Sequence, residues 1–188
     1  PFFQNLFASE PLRILHLSRN PGAAINGLMD GWLYHGFHAH YLPKVQIEGY
    51  TGVVPGGDRW WKFDLPPGWE DFVEGRRLAE VCAFQWTRAQ RAILDWKPQA
   101  ADWCSVRFED FLRDPHQEME RVCAWLGVPM TLEFATVLQT GLAPRMATAR
   151  PRQRRWFDRH QELEPVLNLP EVKDLAEQLG YQDREDWL

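Results

Sequence analysis

The chain has 188 residues, 45% hydrophobic and 25% charged, with a formal net charge of −5. That length buries one sizeable core. No run reaches about 18 apolar residues, so no membrane-spanning helix is expected. The acidic balance argues against broad nucleic-acid binding, which needs a basic surface. Cys82, Cys104 and Cys123 fall on apolar faces of predicted elements, and no Cys-x-x-Cys occurs. An odd count so placed reads as reduced core thiols in a cytoplasmic protein, not a disulfide framework. No signal peptide is visible, although a missing N-terminus would hide one.

In chain order, the apolar run Leu12-Arg13-Ile14-Leu15-His16-Leu17 predicts a strand that ends at Ser18-Arg19-Asn20-Pro21. Asn20 can cap a helix and Pro21 suits its first position. Ala23, Ala24, Gly27 and Gly31 would give that helix a thin face able to lie close on a sheet. A guanidinium at the carboxyl end of a strand, beside a helix start, predicts an anion site, and the planar fork of Arg fits phosphate or sulfate. An ordinary surface ion pair is the alternative role for Arg19.

Residues 34–73 are rich in aromatics, Gly and Pro and predict loops or short hairpins. They read either as an acceptor-side lid or as a small satellite core under a long loop. His35, His38 and His40 invite a metal reading but lack a fourth ligand at regular spacing, so no metal is assigned. Val54-Pro55-Gly56-Gly57-Asp58 is read as a turn, because no Lys-Ser/Thr follows it. A helix is predicted over about 71–96, with Leu78, Val81, Cys82, Gln85, Trp86, Ala89, Ile93 and Trp96 on one face and Arg76, Arg77, Arg88 and Arg91 in solvent. Residues 103–106 predict a short buried strand. Asp114-Pro115 opens an amphipathic helix carrying Met119, Val122, Cys123 and Leu126, and Gly127 with Pro129 closes it. Residues 131–141 and two terminal helices are expected to pack on the same sheet.

Three segments resemble sulfotransferases that use PAPS (3′-phosphoadenosine-5′-phosphosulfate). Leu15-His16-Leu17-Ser18-Arg19-Asn20-Pro21 looks like their 3′-phosphate-binding strand end. Arg107-Phe108-Glu109-Asp110-Phe111, with Trp125-Leu126-Gly127-Val128-Pro129 after it, is similar to their Arg-Tyr-Glu-Asp-Leu segment and following helix. Arg150-Pro151-Arg152-Gln153-Arg154-Arg155-Trp156 before a closing Leu179-Gly180-Tyr181 resembles the end of many bacterial members. The resemblance implies that Arg19 holds the 3′-phosphate, with Gly27 at the place where relatives carry a second, serine, contact. That difference is worth about one charge-assisted hydrogen bond, ~1.5–3 kcal/mol. It implies further that Phe108 lies near adenine, core packing being its other role, and that Arg150, Arg152 and Arg154 belong to a basic loop over the cofactor, a solvated loop being theirs. Trp32, His35, Tyr50 and Trp61 would stand on the acceptor side. Glu109 and Asp110 are read as organisers of their loop.

The family's phosphosulfate-binding loop and catalytic base should lie upstream of Arg19, where no matching segment occurs, so the catalytic residues are left unassigned. A fragment or a natural truncation would each explain this. The expected architecture is a single three-layer α/β domain over 1–188 with a short parallel sheet, part of the P-loop-kinase-like sulfotransferase fold. The implied activity is sulfuryl transfer from PAPS to a hydroxyl or amine of a small molecule, glycan or peptide, leaving PAP. Alternatives are an inactive nucleotide- or anion-binding relative, and a P-loop small-molecule phosphotransferase.

Overall fold

The computed structural model describes residues 11–34, 40–42, 45–50, 60–140 and 152–187. In order they form β1 (Arg13–Ser18), α1 (Pro21–Leu33), β2 (His40–Tyr41), β3 (Trp60–Trp61), α2 (Trp69–Phe72), α3 (Leu78–Leu94), β4 (Asp102–Arg107), α4 (Phe108–Arg113), α5 (Pro115–Leu126), α6 (Leu132–Thr140), α7 (His160–Leu167) and α8 (Pro170–Gln178). Short 3₁₀ turns lie at Lys97–Gln99, Arg155–Arg159 and Arg184–Asp186. The chain divides into two compact units. One joins Pro1–Arg19 to Ala92–Arg145, and the other joins Asn20–Arg91 to Met146–Leu188.

The first unit is built on β1 and β4, which pair in parallel from Arg13↔Asp102 to Ser18↔Arg107. Register partners in a sheet share a face. Cys104 and Val106 are buried there with Val122 of α5, and Phe111, Met119 and Trp125 pack around them. Leu15 and Leu17, their partners on β1, stay 48% and 59% exposed. The sequence places α5 as its end residues dictate. Asp114 Oδ1 accepts from Gln117 N at 2.9 Å, and Gly127 turns left-handed at φ 74°. Val128 N then donates to Cys123 O at 3.0 Å, closing the last turn. Thr131 Oγ1 accepts from Phe134 N at 3.2 Å where α6 begins.

In the second unit, Asn20 Oδ1 accepts from Ala23 N at 2.7 Å, with Pro21 at the first helical position of α1, as the sequence predicts. Near both of its ends α1 lies close against aromatic rings, while Gly27 of the expected thin face is exposed. A Cβ on Gly22 would stand 2.9 Å from Trp156 Cδ2, and one on Gly31 2.3 Å from Phe63 Cζ. The long helix expected over 71–96 is broken: α2 ends at Phe72, and a turn from Val73 to Arg76, with Gly75 left-handed at φ 69°, separates it from α3. Glu80 reaches back to Arg77 N at 2.9 Å, and α3 starts there. Its buried face carries Leu78, Val81, Cys82, Gln85 and Trp86, while Arg76, Arg77, Arg88 and Arg91 are exposed. The terminal helices belong to this unit: α7, in which Leu163, Val166 and Leu167 are buried, packs with α1, and α8 packs with α7. The antiparallel pair β2–β3 is also here, so the α/β class holds while the described parallel sheet is two strands wide. Cys82, Cys104 and Cys123 are buried free thiols. Among the described residues no helix is long and apolar enough to cross a membrane.

Candidate functional site

The carboxyl end of the parallel pair gathers side chains from both of its strands. Arg19 follows β1, is exposed, and places its Cζ 4.9 Å from the centroid of the half-buried Phe108 ring. This is within cation–π range. Phe108 opens α4 directly after Arg107, the register partner of Ser18. Arg107 Nε stands 3.8 Å from Asp110 Oδ2, while Asp110 Oδ1 accepts from Arg113 Nη1 at 2.8 Å. Asp110 thus braces the start of α4, as its local role predicts, and Glu109 beside it is buried. Arg19, Arg107 and Arg113 are equalled in number by Glu109, Asp110 and Asp114 here, so the anion argument rests on the place of Arg19 at the carboxyl end of a parallel strand. Arg107 escaped the sequence reading. The rule that picked Arg19, a cation at the end of a parallel strand, applies equally to it once the register is known.

Gly27 lies in the middle of α1, exposed, with nothing within 4 Å of where a Cβ would stand. Only the first turn of a helix has N–H groups to spare. The N–H of Gly27 therefore belongs to the helix ladder.

The basic segment near the C-terminus is engaged internally. Arg150 lies outside the described residues. Arg152 pairs with Asp158, and Arg154 Nη2 donates to Glu185 O at 2.8 Å from a left-handed backbone, φ 50°. Arg155 pairs with Asp30 Oδ2. Arg159 Nη1 donates to Asp30 Oδ1 and to Asn26 Oδ1, both at 2.7 Å. Burial alone would push the Asp30 carboxyl up, but hydrogen bonds from Arg155 and Arg159 outweigh it and hold the carboxyl below the usual range. These arginines lock α1 to the segment before α7.

Of the acceptor-side residues, His35 lies outside the described ones. Trp32 and Trp61 are fully buried and Tyr50 nearly so. The Trp32 ring stands edge-on to Tyr50 at 5.1 Å and to Trp61 at 5.3 Å. Trp32 Nε1 donates to Gln85 Oε1 at 2.8 Å, and Gln85 Nε2 donates to Lys62 O at 2.9 Å. The three rings form core in this structure, where the sequence suggested a wall. Lys62 is buried beside them, its Nζ bonded to Tyr34 O, and burial pushes the ammonium down. A cavity of about 930 Å³ opens nearby, lined by Tyr50, Trp69, Glu48, Glu70 and Glu74 among others. Tyr50 lines this cavity, and Trp32 and Trp61 do not. Burial also pushes the Cys82 thiol well up, which leaves it inert. No group of three His, Cys, Asp or Glu among the described residues is placed to hold a metal.

In α/β folds the carboxyl ends of parallel strands, here followed by Arg19 on β1 and closed by Arg107 on β4, are where ligands bind. Comparison with known families makes the class specific: residues 59–132 match the sulfotransferase family. The match covers less than half of the chain, which is similar to the sulfotransferase family over that segment. It contains Arg107 and Phe108, and Arg19 lies outside it, upstream of its start. No curated protein and no solved structure matches.

Proposed function

We propose that the protein is a PAPS-dependent sulfotransferase in which Arg19 holds the 3′-phosphate and Phe108 lies against the adenine. One observation carries this reading. Arg19 and Phe108 come from two separately recognised motifs far apart in sequence, and the fold stacks one on the other. An exposed guanidinium fixed on a half-buried ring suits a planar base joined to a phosphate. When bound, PAPS supplies the sulfuryl group. The chain's part is to fix the nucleotide by charge and ring contact, and to leave an acceptor hydroxyl or amine within reach of a base that takes its proton. Arg150 is kept with Arg152 and Arg154 in this reading, and those two would serve the cofactor only by exchanging Asp158 and the Glu185 carbonyl for it. Tyr50 is the acceptor-side residue best placed, since it lines the cavity of its unit. Acceptors of small-molecule, glycan or peptide type fit this reading.

Calorimetric titration with PAP tests the proposal. Arg19→Ala should weaken PAP about tenfold or more, and an unchanged affinity removes Arg19 from the site. Transfer is then assayed with panels of phenols, alcohols, sugars and amines. Gly27 favours a second reading, an anion-binding relative without catalysis, because its N–H is spent in the helix. PAP binding without transfer to any acceptor would select it.

A further inference from the structure

The cavity that Tyr50 lines is acidic, and the proposed function makes no use of its charge. We infer that this cavity binds an organic cation, an ammonium joined to an apolar or aromatic body, through Glu48, Glu70 and Glu74. The inference rests on the reading above only for calling that cation the acceptor.

The walls are fixed by backbone and by core. Glu48 N donates to Arg76 O and Leu78 N to Glu48 O, both at 3.0 Å, which ties residues 45–50 to the turn after α2. Val45, Ile47 and Val73 give the cavity a buried apolar lining. Trp69 adds a half-buried ring, held 5.5 Å from that of Trp61, and Tyr50 is held edge-on by Trp32. Walls anchored in this way lose little freedom when a ligand enters. The volume, about 930 Å³, suits a small molecule.

The charge of the lining selects the ligand. Glu48, Glu70 and Glu74 are exposed, and no Lys, Arg or His stands beside them among the described residues of the wall. Among the described residues none of the three carboxylates has a hydrogen bond or an ion pair. Arg76 and Arg77, next along the chain, both pair with Glu80 instead. Like charges gathered in one concavity draw the opposite sign into it, and an indole face adds to the attraction for an ammonium. No trio of acidic, His or Cys side chains among the described residues is placed to hold a metal ion, so charge spread in this way suits a cation with a body. Carboxylates also keep an ammonium protonated, which makes it the handle by which the molecule is held.

Calorimetry without any cofactor compares three probes of similar size: phenylalaninol, which is cationic, 3-phenylpropanol, which is neutral, and phenyllactate, which is anionic. Phenylalaninol should bind about five- to thirtyfold tighter than 3-phenylpropanol, and phenyllactate most weakly. The margin should shrink as salt rises from about 0.05 M to about 0.5 M. The combined variant Glu48→Gln, Glu70→Gln, Glu74→Gln changes only exposed side chains, so it keeps the fold; it should lose the margin and bind 3-phenylpropanol as before. Trp69→Ala should weaken phenylalaninol and 3-phenylpropanol together, and if it fails to fold the glutamine variant decides. A margin that survives in the glutamine variant, phenyllactate bound as tightly as phenylalaninol, or binding of none of the probes overturns the inference. The PAP titration is read separately. Cation binding without PAP binding sinks the nucleotide reading and leaves the cation site in place, whereas PAP binding without preference for the cation does the reverse.

Discussion

Replacing Asp30 by Asn separates a structural from a cofactor-binding role for the arginines near the C-terminus. Asp30 is 8% exposed and receives Arg155 on one oxygen and Arg159 on the other. Breaking a buried pair from one side costs about 3–5 kcal/mol. The arginine side chains keep 27% and 24% exposure, so water recovers part of their charge. Asn also retains one acceptor, but it turns an amide donor toward the second guanidinium. About 2–3 kcal/mol of lost stability is the net expectation, or roughly 4–12 °C in melting temperature for a chain of this size. Urea unfolding followed by tryptophan fluorescence reads it, because Trp156 and Trp187 are buried in the same unit. The pH dependence gives a second readout. The folded carboxyl lies below its ordinary value near 3.9. Its stabilisation is therefore full above about pH 4 and disappears as pH falls through the lower folded value. That part of the acid slope should be absent from Asp30→Asn. A change within about 0.5 kcal/mol, with the slope intact, would refute the lock and return Arg155 and Arg159 to the pool of cations available to a ligand.

Gly27→Ser should raise helix stability by about 0.5 kcal/mol, since the open space at position 27 takes a side chain without a clash. If the resemblance places this residue correctly, the same variant binds PAP about tenfold tighter by calorimetry; more stable protein with unchanged affinity removes position 27 from the 3′-phosphate. Asp114→Ala deletes the cap of α5 and should cost about 1 kcal/mol in urea titration, while a loss below a few tenths would mean that packing of Val122 and Cys123 alone holds the helix start.

Local chemistry was legible in the sequence, and partner choice was not. Asn20-Pro21 and Asp114-Pro115 opened their helices, and Gly127 closed one, because caps act within three or four residues. The strands at Ile14 and Cys104 were likewise visible as apolar runs. Gly75 went unnoticed inside an apparently continuous helical pattern, and only its left-handed backbone shows why α3 begins late. The arginines of 152–159 read as a basic cluster because their acids lie elsewhere: Asp30 stands in α1, far away in sequence. Trp32 and Trp61 suggested a pocket from composition alone. Whether an aromatic lines a cavity or fills it depends on Gln85, which receives the Trp32 indole from another helix. At the candidate site, Arg19 and Phe108 were found one motif at a time, and Arg107 emerged only when the register joined the strands.

The internal pairing of the C-terminal arginines also changes how the molecule meets other charged surfaces. Arg152 is matched by Asp158, Arg155 and Arg159 by Asp30, and Arg184 by Glu164. A polyanionic matrix such as immobilised heparin samples uncompensated charge, not the letters of a sequence. Arg155 and Arg159 share one carboxylate and Arg154 meets only the Glu185 carbonyl, so the tract keeps part of its charge and should be retained on such a column, but more weakly than its run of arginines suggests.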